Sequence, residues 1–463
     1  MKFVSIDIGS TWTKGGLFGL SGAALECERR TALPTTVGNL GDAFFRVLDE
    51  LIGGTCALDR IRRGEISLSY SSSAKGGLAV AALGIVPEVT LETAKVAAYS
   101  AGAKLTRVLS YRLTRADIRA LEDAPPDILL FAGGTDGGNT DYVLGNAEAI
   151  ARSTLACSVV YAGNRCVQDE VREMLAHKDL QVVDNVLPEM ESPNPDPARE
   201  AMRGIFLSKI AKGKGLDVIV RETGVEPLPT PYAVYEFAKD IRRYVAGWEE
   251  FILLDLGGAT TDVYSAHRED PAPGTVIRSL PEPDVKRTVE GDLGLRVSAI
   301  SAAEAARPLL PRLGHDAAEI SALADYAQRV ARAPESLPAD ESEAGFDETL
   351  AGACVAQACA RHAGRVTVVH TPDGDVRVQT GRDLTKVSRV IGSGGWLAKA
   401  RGFDPGPWMA RMRVDSKGKA VLLPGDADYY RDEDYLLPLL ANIARHLPQA
   451  AANAGVQALT RSD

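Results

Sequence analysis

One short pattern occurs twice in this chain and constrains its fold most strongly: an apolar strand that ends in Asp-x-Gly, followed by a Thr-rich turn. The first copy runs from Phe3 to Phe18 (FVSIDIGSTWTKGGLF) and the second from Phe251 to Ala266 (FILLDLGGATTDVYSA). In each copy a buried strand places a carboxylate at its end, and glycines let backbone N–H groups approach an anion. The pattern therefore predicts two related hairpins with phosphate-binding tips.

A second correspondence predicts that the chain is a duplication. The strand Asp127 to Phe131 leads into a glycine cluster, and the strand Val387 to Ile391 leads into Gly392 to Gly395. Each half thus has an apolar strand with Asp-x-Gly first and an apolar strand with a glycine cluster later. We expect a first domain over residues 1–229 and a second over 230–463, with a helical insertion at about 299–364.

Composition excludes several classes of function. The 463 residues are 45% hydrophobic, which is enough for more than one core. The 52 Lys and Arg face 62 Asp and Glu, and this net charge of −10 argues against broad attraction to nucleic acid or to an anionic membrane. No secretory signal or long uncharged apolar run is apparent, so we expect a cytoplasmic protein.

The order of apolar runs predicts an α/β fold, because strand-like and helix-like segments alternate. We expect strands at 3–8, 104–110, 127–131, 366–370 and 376–380, helices at 40–51, 165–175, 198–211 and 235–245, and loops at 188–197, 227–231 and 334–346. Gly213-Lys214-Gly215 is expected to end a helix, and Pro372-Asp373-Gly374 to form a hairpin turn.

The cysteines predict no disulfide and no metal site. There are six of them without a CxxC pair, which is typical of buried thiols in a reducing compartment. Cys354, Cys359 and His362 lie on one predicted helix, and their spacings of five and three do not suit a zinc site. We expect these three side chains to be structural.

The complete strings resemble the actin, hexokinase and heat-shock-chaperone ATPase superfamily. The two Asp-x-Gly strings are similar to its first and second phosphate motifs, and Val390-Ile-Gly-Ser-Gly-Gly395 is similar to its adenosine motif, in the expected order. This resemblance implies a duplicated actin-like ATPase fold, in which two ribonuclease-H-like domains flank a nucleotide cleft. It implies ATP or ADP and magnesium as cofactors.

The resemblance also implies roles for individual residues. Asp7 and Asp255 match the carboxylates around the magnesium and the attacking water. The positions that match nucleotide-binding residues are Gly9, Ser10, Thr11, Thr13 and Lys14 in the first motif, Gly257, Gly258, Thr260, Thr261 and Asp262 in the second, and Gly392, Ser393, Gly394 and Gly395 in the third. Lys14 has two readings, a phosphate ligand or a solvated lysine at a hairpin tip.

The tract Ala132 to Asn139 (AGGTDGGN) also has two readings. It is either a glycine-rich strand-to-helix turn capped by Asn139 or Thr140, or a cleft loop whose catalytic residue is Asp136. Four glycines around one carboxylate favour the second reading, which adds Gly133, Gly134 and Thr135 to the binding residues. Walker and dinucleotide-binding loops are absent, because Gly-Lys at 213–214 is followed by Gly and no GxGxxG follows a strand.

Longer strings narrow the resemblance to one family. AGGTDGGNTDYVLGNAEAI, YAGNRCVQDEV and RTVEGDLGLR resemble the MutL (GlmL) proteins, which are accessory to adenosylcobalamin-dependent glutamate (methylaspartate) mutase. The resemblance extends from Met1 to about Leu440. It implies a chaperone-like, slow ATPase that reactivates the mutase, its partner, by promoting exchange of damaged cobalamin.

Three alternatives remain open within the same superfamily. A small-molecule kinase would use Glu290 and Asp292 to bind a hydroxylated substrate. A hydantoinase- or oxoprolinase-like hydrolase would use the glycine-rich tract to hold a metal and a substrate. A filament protein related to actin would need no catalysis.

Overall fold

A computed structural model describes residues 1–36, 38–53, 57–73, 78–210, 215–372 and 374–462. The strands are β1 (Lys2–Ile8), β2 (Trp12–Ser21), β3 (Ala24–Pro34), β4 (Ile66–Ser72), β5 (Ala79–Gly84), β6 (Lys104–Ser110), β7 (Ile128–Phe131), β8 (Ser158–Tyr161), β9 (Asp179–Val182), β10 (Leu228–Pro229), β11 (Phe251–Leu256), β12 (Thr261–Ala266), β13 (Thr275–Ile277), β14 (Val285–Glu290), β15 (Arg365–Thr371), β16 (Gly374–Thr380), β17 (Arg389–Ser393), β18 (Ala420–Val421), β19 (Asp428–Arg431) and β20 (Thr460–Arg461).

Helices alternate with these strands. They are α1 (Leu40–Ile52), α2 (Ala57–Arg62), α3 (Glu92–Ser100), α4 (Arg115–Asp123), α5 (Asp141–Arg152), α6 (Gln168–Met174), α7 (Asp196–Ile210), α8 (Leu216–Thr223), α9 (Thr230–Tyr244), α10 (Ala299–Ala306), α11 (Ala317–Arg332), α12 (Glu341–His362), α13 (Gly406–Ala410), α14 (Leu437–Ala444) and α15 (Pro448–Gln457). The predicted α/β class is confirmed: the fold is mixed α/β with several sheets. The proposed helix end at 213–215 falls largely outside the described residues, as does Asp373 of the hairpin turn.

The chain packs as two compact units. Unit 1 contains Met1–Gly76, Val218–Arg278 and Glu282–Asp463, and unit 2 contains Gly77–Asp217 and Ser279–Pro281. The predicted domain boundary at residue 230 lies inside unit 1, where α9 begins. The predicted loop over 227–231 is shorter than expected, since Pro231 occupies the first turn of α9, where its missing N–H costs nothing.

Unit 1 contains the first Asp-x-Gly strand in a five-stranded sheet. The strand order is β10-β4-β1-β2-β3, with β1, β2 and β3 antiparallel and β4 and β10 parallel to β1. Every residue of β1 from Phe3 to Ile8 is buried, as expected for a strand covered on both faces. In the β1–β2 register Asp7 lies opposite Lys14.

The second Asp-x-Gly strand lies in another sheet of unit 1, with the order β14-β12-β11-β17-β19-β20. Its first five strands repeat the order and the directions of the β1 sheet: β11, β12 and β14 are antiparallel, and β17 and β19 run parallel to β11. The two Asp-x-Gly strands therefore occupy the same central position in their sheets. In the β11–β12 register Asp255 lies opposite Asp262.

One hydrophobic core joins these two sheets. Phe3 and Phe18 of the first sheet and Phe251 and Ile391 of the second belong to one buried cluster. Helices α9, α14 and α15 complete the cluster, and α14 packs directly on β1 while α9 packs on β12. Since both sheets bury apolar side chains on the same three helices, their strand ends are held in a fixed relation within unit 1.

The alanine-rich region forms helices that cover the other face of the β11 sheet. Residues of α10, α11 and α12 share a buried cluster with Ile252, Leu254 and Val263. The loop expected at 334–346 ends earlier than predicted, because Asp340 accepts a hydrogen bond from the Glu343 N–H and so caps α12. A small sheet with the order β13-β16-β15-β18 accounts for the strands expected at 366–370 and 376–380.

Unit 2 is a separate sheet of five parallel strands, in the order β6-β5-β7-β8-β9. Its core is formed by side chains of these strands and of α5 and α6, among them Leu83, Leu129, Val143 and Val171. Strands β5, β7 and β8 are entirely or almost entirely buried, which is typical of parallel strands covered by helices on both faces. The sequence analysis did not distinguish this sheet from the remainder of the first half.

Candidate functional site

The first hairpin, β1–β2, closes in a tight turn. The Gly9 N–H donates to the Trp12 carbonyl at 3.0 Å, and a Cβ on Gly9 would lie 2.7 Å from that oxygen, so the turn requires glycine. Ser10 and Thr11 are exposed at the tip. Thr13 is fully buried, and its hydroxyl bonds to that of Thr35 at 2.9 Å. Thr13 therefore supports the hairpin from inside, while Ser10 and Thr11 form its outer surface.

The second hairpin, β11–β12, closes in the same way. The Gly257 N–H donates to the Thr260 carbonyl at 2.9 Å. The Gly258 carbonyl accepts from the Arg296 N–H at 2.8 Å, and the buried Thr261 hydroxyl donates to the Leu293 carbonyl at 2.8 Å. Residues 290–296 (EGDLGLR) are thus joined to this tip by hydrogen bonds of Leu293 and Arg296.

Both tips expose backbone N–H groups. Within the described residues, no hydrogen bond is found for the N–H groups of Ser10 and Thr11 or of Gly258 and Ala259. Successive N–H groups without a protein acceptor form a concavity that favours an anion. The two hairpins therefore have equivalent tips, as the repeated pattern predicts.

Asp7 accepts hydrogen bonds at both carboxylate oxygens. Its Oδ1 accepts from the hydroxyls of Ser71 at 3.0 Å and Thr230 at 2.6 Å, and its Oδ2 accepts from Tyr435 at 3.1 Å. Ser71 comes from β4 and Thr230 from the first residue of α9. Three distant segments therefore position one side chain, which is almost completely buried.

Asp255 has a different environment, dominated by charge. Burial is the main reason that the pKa of Asp255 is raised to about 7, and the neighbouring carboxylate of Asp262 raises it further. Lys14 acts in the opposite direction, and the charges of Asp7 and Asp432 add to the rise. The structure therefore brings the predicted carboxylates Asp7 and Asp255 into one electrostatic cluster with Lys14.

Lys14 is half-buried rather than solvated at the tip. Burial lowers its pKa, and the carboxylates of Asp7, Asp255 and Asp432 oppose that change. Its Nζ lies 3.1 Å from the centre of the Tyr435 ring, a cation–π contact. Lys14 is therefore partly withdrawn from solvent, with its ammonium against the Tyr435 ring, and its role as a phosphate ligand stays a prediction.

The third motif lies beside the second. Strand β17 runs parallel to β11 and pairs Ser393 with Asp255. Gly394 has a φ of +94°, and a Cβ there would lie 2.3 Å from the Leu256 carbonyl oxygen and 2.9 Å from Asp255 Oδ1. Only glycine allows this approach of the two motifs. A Cβ on Gly392 would meet the Tyr429 hydroxyl at 2.0 Å, so a larger residue there would require the Tyr429 side chain to move.

Two further residues belong to this cluster and were not predicted from the sequence, Asp432 and Tyr435. Asp432 follows β19 and is buried, and its carboxylate accepts from the Ser393 hydroxyl at 2.8 Å and from the Leu436 N–H at 2.7 Å. It therefore connects the third motif to the start of α14. Tyr435 connects the same loop to Asp7 and Lys14. The only sequence signal was an acidic run, RDEDY, directly after a strand.

Asp262 pairs with an arginine. Its Oδ1 accepts from Arg287 Nε at 2.8 Å and also from Nη2, and both side chains are buried. Arg287 lies on β14, the neighbour of β12. One carboxylate oxygen of Asp262 is thus taken up by an ion pair inside the second sheet.

The glycine-rich tract lies in unit 2, between β7 and α5, whereas Asp7 and Asp255 belong to unit 1. Asp136 Oδ1 accepts from the Arg165 N–H at 3.0 Å and from Asn185 at 2.9 Å. The buried Asn164 accepts from the Gly137 N–H at 3.0 Å. Asn139 accepts from the Tyr142 N–H at 3.1 Å, which is the helix cap expected from the structural reading of this tract.

The carboxylates of the kinase alternative are bound by one guanidinium. Arg361 Nη1 donates to Glu290 and to Asp292, both at 2.7 Å, and its Nη2 donates to Asp292 at 2.9 Å. His362, the next residue, contacts the hydroxyls of Thr288 and Ser265 at 2.8 Å each. Cys354, Cys359 and His362 are all buried in the helical region.

In the described part of the chain, no group of three or more His, Cys, Asp or Glu side chains is arranged to bind a metal ion directly. No described helix has the length and apolar character that a membrane span requires.

Known proteins with similar sequences agree with the motif analysis. The family model described as "MutL protein" matches residues 3–459. The protein MutL of Clostridium tetanomorphum is 36% identical over 462 residues, and the alignment covers 97% of each chain.

Solved structures are only distantly similar. A nucleotide-free acetone carboxylase, from a study of ATP-dependent acetone carboxylation, is 12% identical with a TM-score of 0.39, covering 96% of this chain and 70% of that one. A Ppx/GppA phosphatase of Aquifex aeolicus is 10% identical with a TM-score of 0.21, covering 99% and 90%. Scores this low carry no argument about the fold. The sequence match, which covers nearly the whole chain, decides the classification: this chain belongs to the MutL protein family.

Proposed function

We propose that this chain binds ATP with magnesium between its two Asp-x-Gly hairpins, hydrolyses it slowly, and uses the cycle to reactivate an adenosylcobalamin-dependent glutamate (methylaspartate) mutase. One observation carries the nucleotide part. Two hairpins with the same turn, at the same position in two sheets of the same strand order, bring Asp7, Lys14 and Asp255 into one cluster. The repeated strand order also supports a duplicated actin-like ATPase fold, with its domain boundary near residue 230.

The tips would hold the phosphates. The N–H groups of Ser10 and Thr11 on one tip and of Gly258 and Ala259 on the other are free for phosphate oxygens in the described structure. Lys14 adds the positive charge that a triphosphate needs. The glycines of the third motif would let the nucleoside approach β17. Ser393 would position Asp432 and, through it, the start of α14.

Magnesium fits the carboxylates of this site. This ion keeps most of its water ligands and is usually bound by one or two carboxylates plus phosphate oxygens, and Asp7 and Asp255 belong to one cluster of carboxylates. Asp7 and Asp255 are the residues that would hold it, and the ion would neutralise charge on the phosphates. Phosphoryl transfer to water otherwise needs only positioning and electrostatic stabilisation.

Asp255 is suited to hold the magnesium ion and the attacking water beside the phosphates. Within the described residues no side-chain donor bonds to its carboxylate, so its oxygens are available to the ion or to a water molecule. Asp7 differs from Asp255, because the hydroxyls of Ser71 and Thr230 orient its carboxylate. The two carboxylates would therefore act differently on one nucleotide.

The mutase part of the proposal rests on membership of the MutL family. Ligand contacts made in only one conformation shift the equilibrium towards that conformation, so closure of the hairpins on a nucleotide supplies a physical drive. The partner would be a mutase that carries damaged cobalamin.

Two assays on purified protein test this proposal. We expect slow ATP hydrolysis that increases when a mutase inactivated at its cobalamin is added, together with exchange of the cobalamin. Rapid turnover of ATP with a small hydroxylated or carboxylated compound, and no response to the mutase, would instead establish a kinase or an oxoprolinase-like enzyme. The Asp325→Asn variant on α11, which removes an exposed carboxylate of unit 1, serves as the control.

A further inference from the structure

Tyr435 lies where the three motifs meet. Its hydroxyl donates to Asp7 Oδ2 at 3.1 Å, and its ring covers Lys14 Nζ at 3.1 Å from the ring centre. Burial and the charges of Asp7 and Asp255 hold the pKa of Tyr435 well above its ordinary value, as expected for a phenol close to carboxylates. The Tyr435 side chain thus contacts both charged groups of the first hairpin, Asp7 and Lys14.

The backbone at Tyr435 adopts an unusual conformation. Its φ is +55°, and Tyr111 is the other residue besides glycine with a positive φ in the described structure. A bulky residue in this region is strained and persists only where surrounding contacts hold it in place. Here the contacts to Asp7 and Lys14 are part of what holds it.

The loop that carries Tyr435 is anchored at both sides of the site. Arg30 of β3 forms an ion pair with Asp434 at 2.7 Å. Lys399, which follows the third motif, donates to the Glu433 carbonyl at 2.9 Å. Asp432 at the start of the loop accepts from Ser393 at 2.8 Å. The loop therefore contacts the sheets of both hairpins.

The residue that follows Tyr435 lies at a surface pocket rather than in the closed interior. Leu436 and Leu440 of α14 line this half-open pocket of about 220 Å³, together with Phe18, Leu25 and Cys27. Helix α14 also reaches β1, since Asn442 donates to the Ile6 carbonyl at 3.2 Å.

From these observations we infer that Tyr435 competes with the nucleotide for the first hairpin. Its hydroxyl binds Asp7 and its ring contacts Lys14 until a cation and a phosphate replace the Tyr435 side chain at these two residues. The inference rests on the proposed nucleotide site. A ligand that binds only the form with Tyr435 displaced has an apparent affinity lowered by the population of that form. Release of Tyr435 would then change the loop at residues 432–436 and the start of α14, which converts nucleotide binding into a conformational signal.

Calorimetric titration with magnesium ATP tests this inference in the wild type and two variants. Tyr435→Phe removes the hydrogen bond to Asp7 and keeps the ring, whereas Tyr435→Leu removes the ring over Lys14 as well. We expect tighter binding in both, by about threefold to tenfold for Tyr435→Phe and more for Tyr435→Leu, the range that follows from the loss of one hydrogen bond. Tyr430→Phe on β19 is the matched control and should bind as the wild type does.

The outcomes separate the inference from the proposed function. Binding to the wild type with equal or weaker affinity in both Tyr435 variants would overturn the competitor and leave the nucleotide site intact. Binding to the variants alone would support the competitor. No binding to any of the proteins, with circular dichroism showing that each is folded, would overturn both.

Discussion

The two Asp-x-Gly hairpins have the same turn and hold their carboxylates in opposite ways. Asp7 accepts three hydrogen bonds from hydroxyl groups. For Asp255 no side-chain hydrogen bond is found within the described residues, and burial among negative charges raises its pKa to about 7. A repeated sequence pattern therefore determines the backbone of a site, whereas residues far away in the chain determine its chemistry.

The difference continues into the surrounding sheets. The first hairpin pairs Asp7 with a lysine across the strands, and the second pairs Asp255 with another carboxylate, Asp262. Arg287 takes up the charge of Asp262 from the next strand. Several buried ionisable groups, including His362 and Arg382, lie on or against the second sheet. We expect the first hairpin to respond to mutation mainly through hydrogen bonding and the second mainly through charge.

The largest expected effect is on hydrolysis. Asp255→Asn should lower the ATPase rate by about 10²–10³-fold, the order of loss when one electrostatic contact to the reacting groups is removed, and leave the fold intact. Steady-state phosphate release measures this, with Asp325→Asn as the control. An unchanged rate would remove Asp255 from the chemistry and with it the contrast between the two hairpins.

The next effect is on stability. Asp262→Asn leaves the buried Arg287 without its carboxylate partner, and loss of one member of a buried pair typically costs 3–5 kcal/mol. Urea denaturation measures the free energy of unfolding. The double variant Asp262→Leu with Arg287→Met should recover part of the loss, because both members of the buried pair are then replaced by apolar side chains. A cost below about 1 kcal/mol for Asp262→Asn would show that this pair is not a structural element.

A third prediction concerns the stability of the fold at acidic pH. Burial holds the pKa of His362 well below its ordinary value, so the folded protein keeps this imidazole neutral while the unfolded chain takes up a proton below about pH 6.5. Stability should therefore fall as the pH decreases from 7 to 5, by about 1.4 kcal/mol per pH unit below 6.5 for this group. In His362→Gln this part of the slope should disappear from the urea midpoints. An identical slope in the variant would assign the acid sensitivity to other groups.

The smallest effect should come from the first hairpin. Thr230→Val removes one of the three donors to Asp7 and should cost about 1.5–3 kcal/mol of stability, the range for a hydrogen bond to a charged group. Since the Ser71 hydroxyl still donates to the same carboxylate, the ATPase rate should change by less than about tenfold. A loss as large as that of Asp255→Asn would mean that the two carboxylates share one role.

Local patterns predicted the hairpins, whose turns depend on glycines at fixed positions. The strand that leads into Gly392–Gly395 and the helices α1, α6, α7 and α9 were predicted from local apolar patterns, whereas α4, α14 and α15 were not. Ser71, Thr230, Asp432 and Tyr435 were missed because each reaches the site from a different segment, and no spacing in the sequence connects them. Unit 2 was missed because its strand–helix alternation continues that of the preceding residues, and only strand pairing separates β5–β9 from the first sheet.

The affinity for magnesium ATP tests the central claim most directly. Titration calorimetry on the wild type, on Lys14→Met in the first hairpin and on Asp255→Asn in the second compares both sides of the site in one measurement. We predict one bound nucleotide in the wild type and affinity lower by about tenfold or more in each variant, since each removes a charged contact to the phosphates or their cation. Equal affinity in all three proteins would contradict a nucleotide held between the two hairpins.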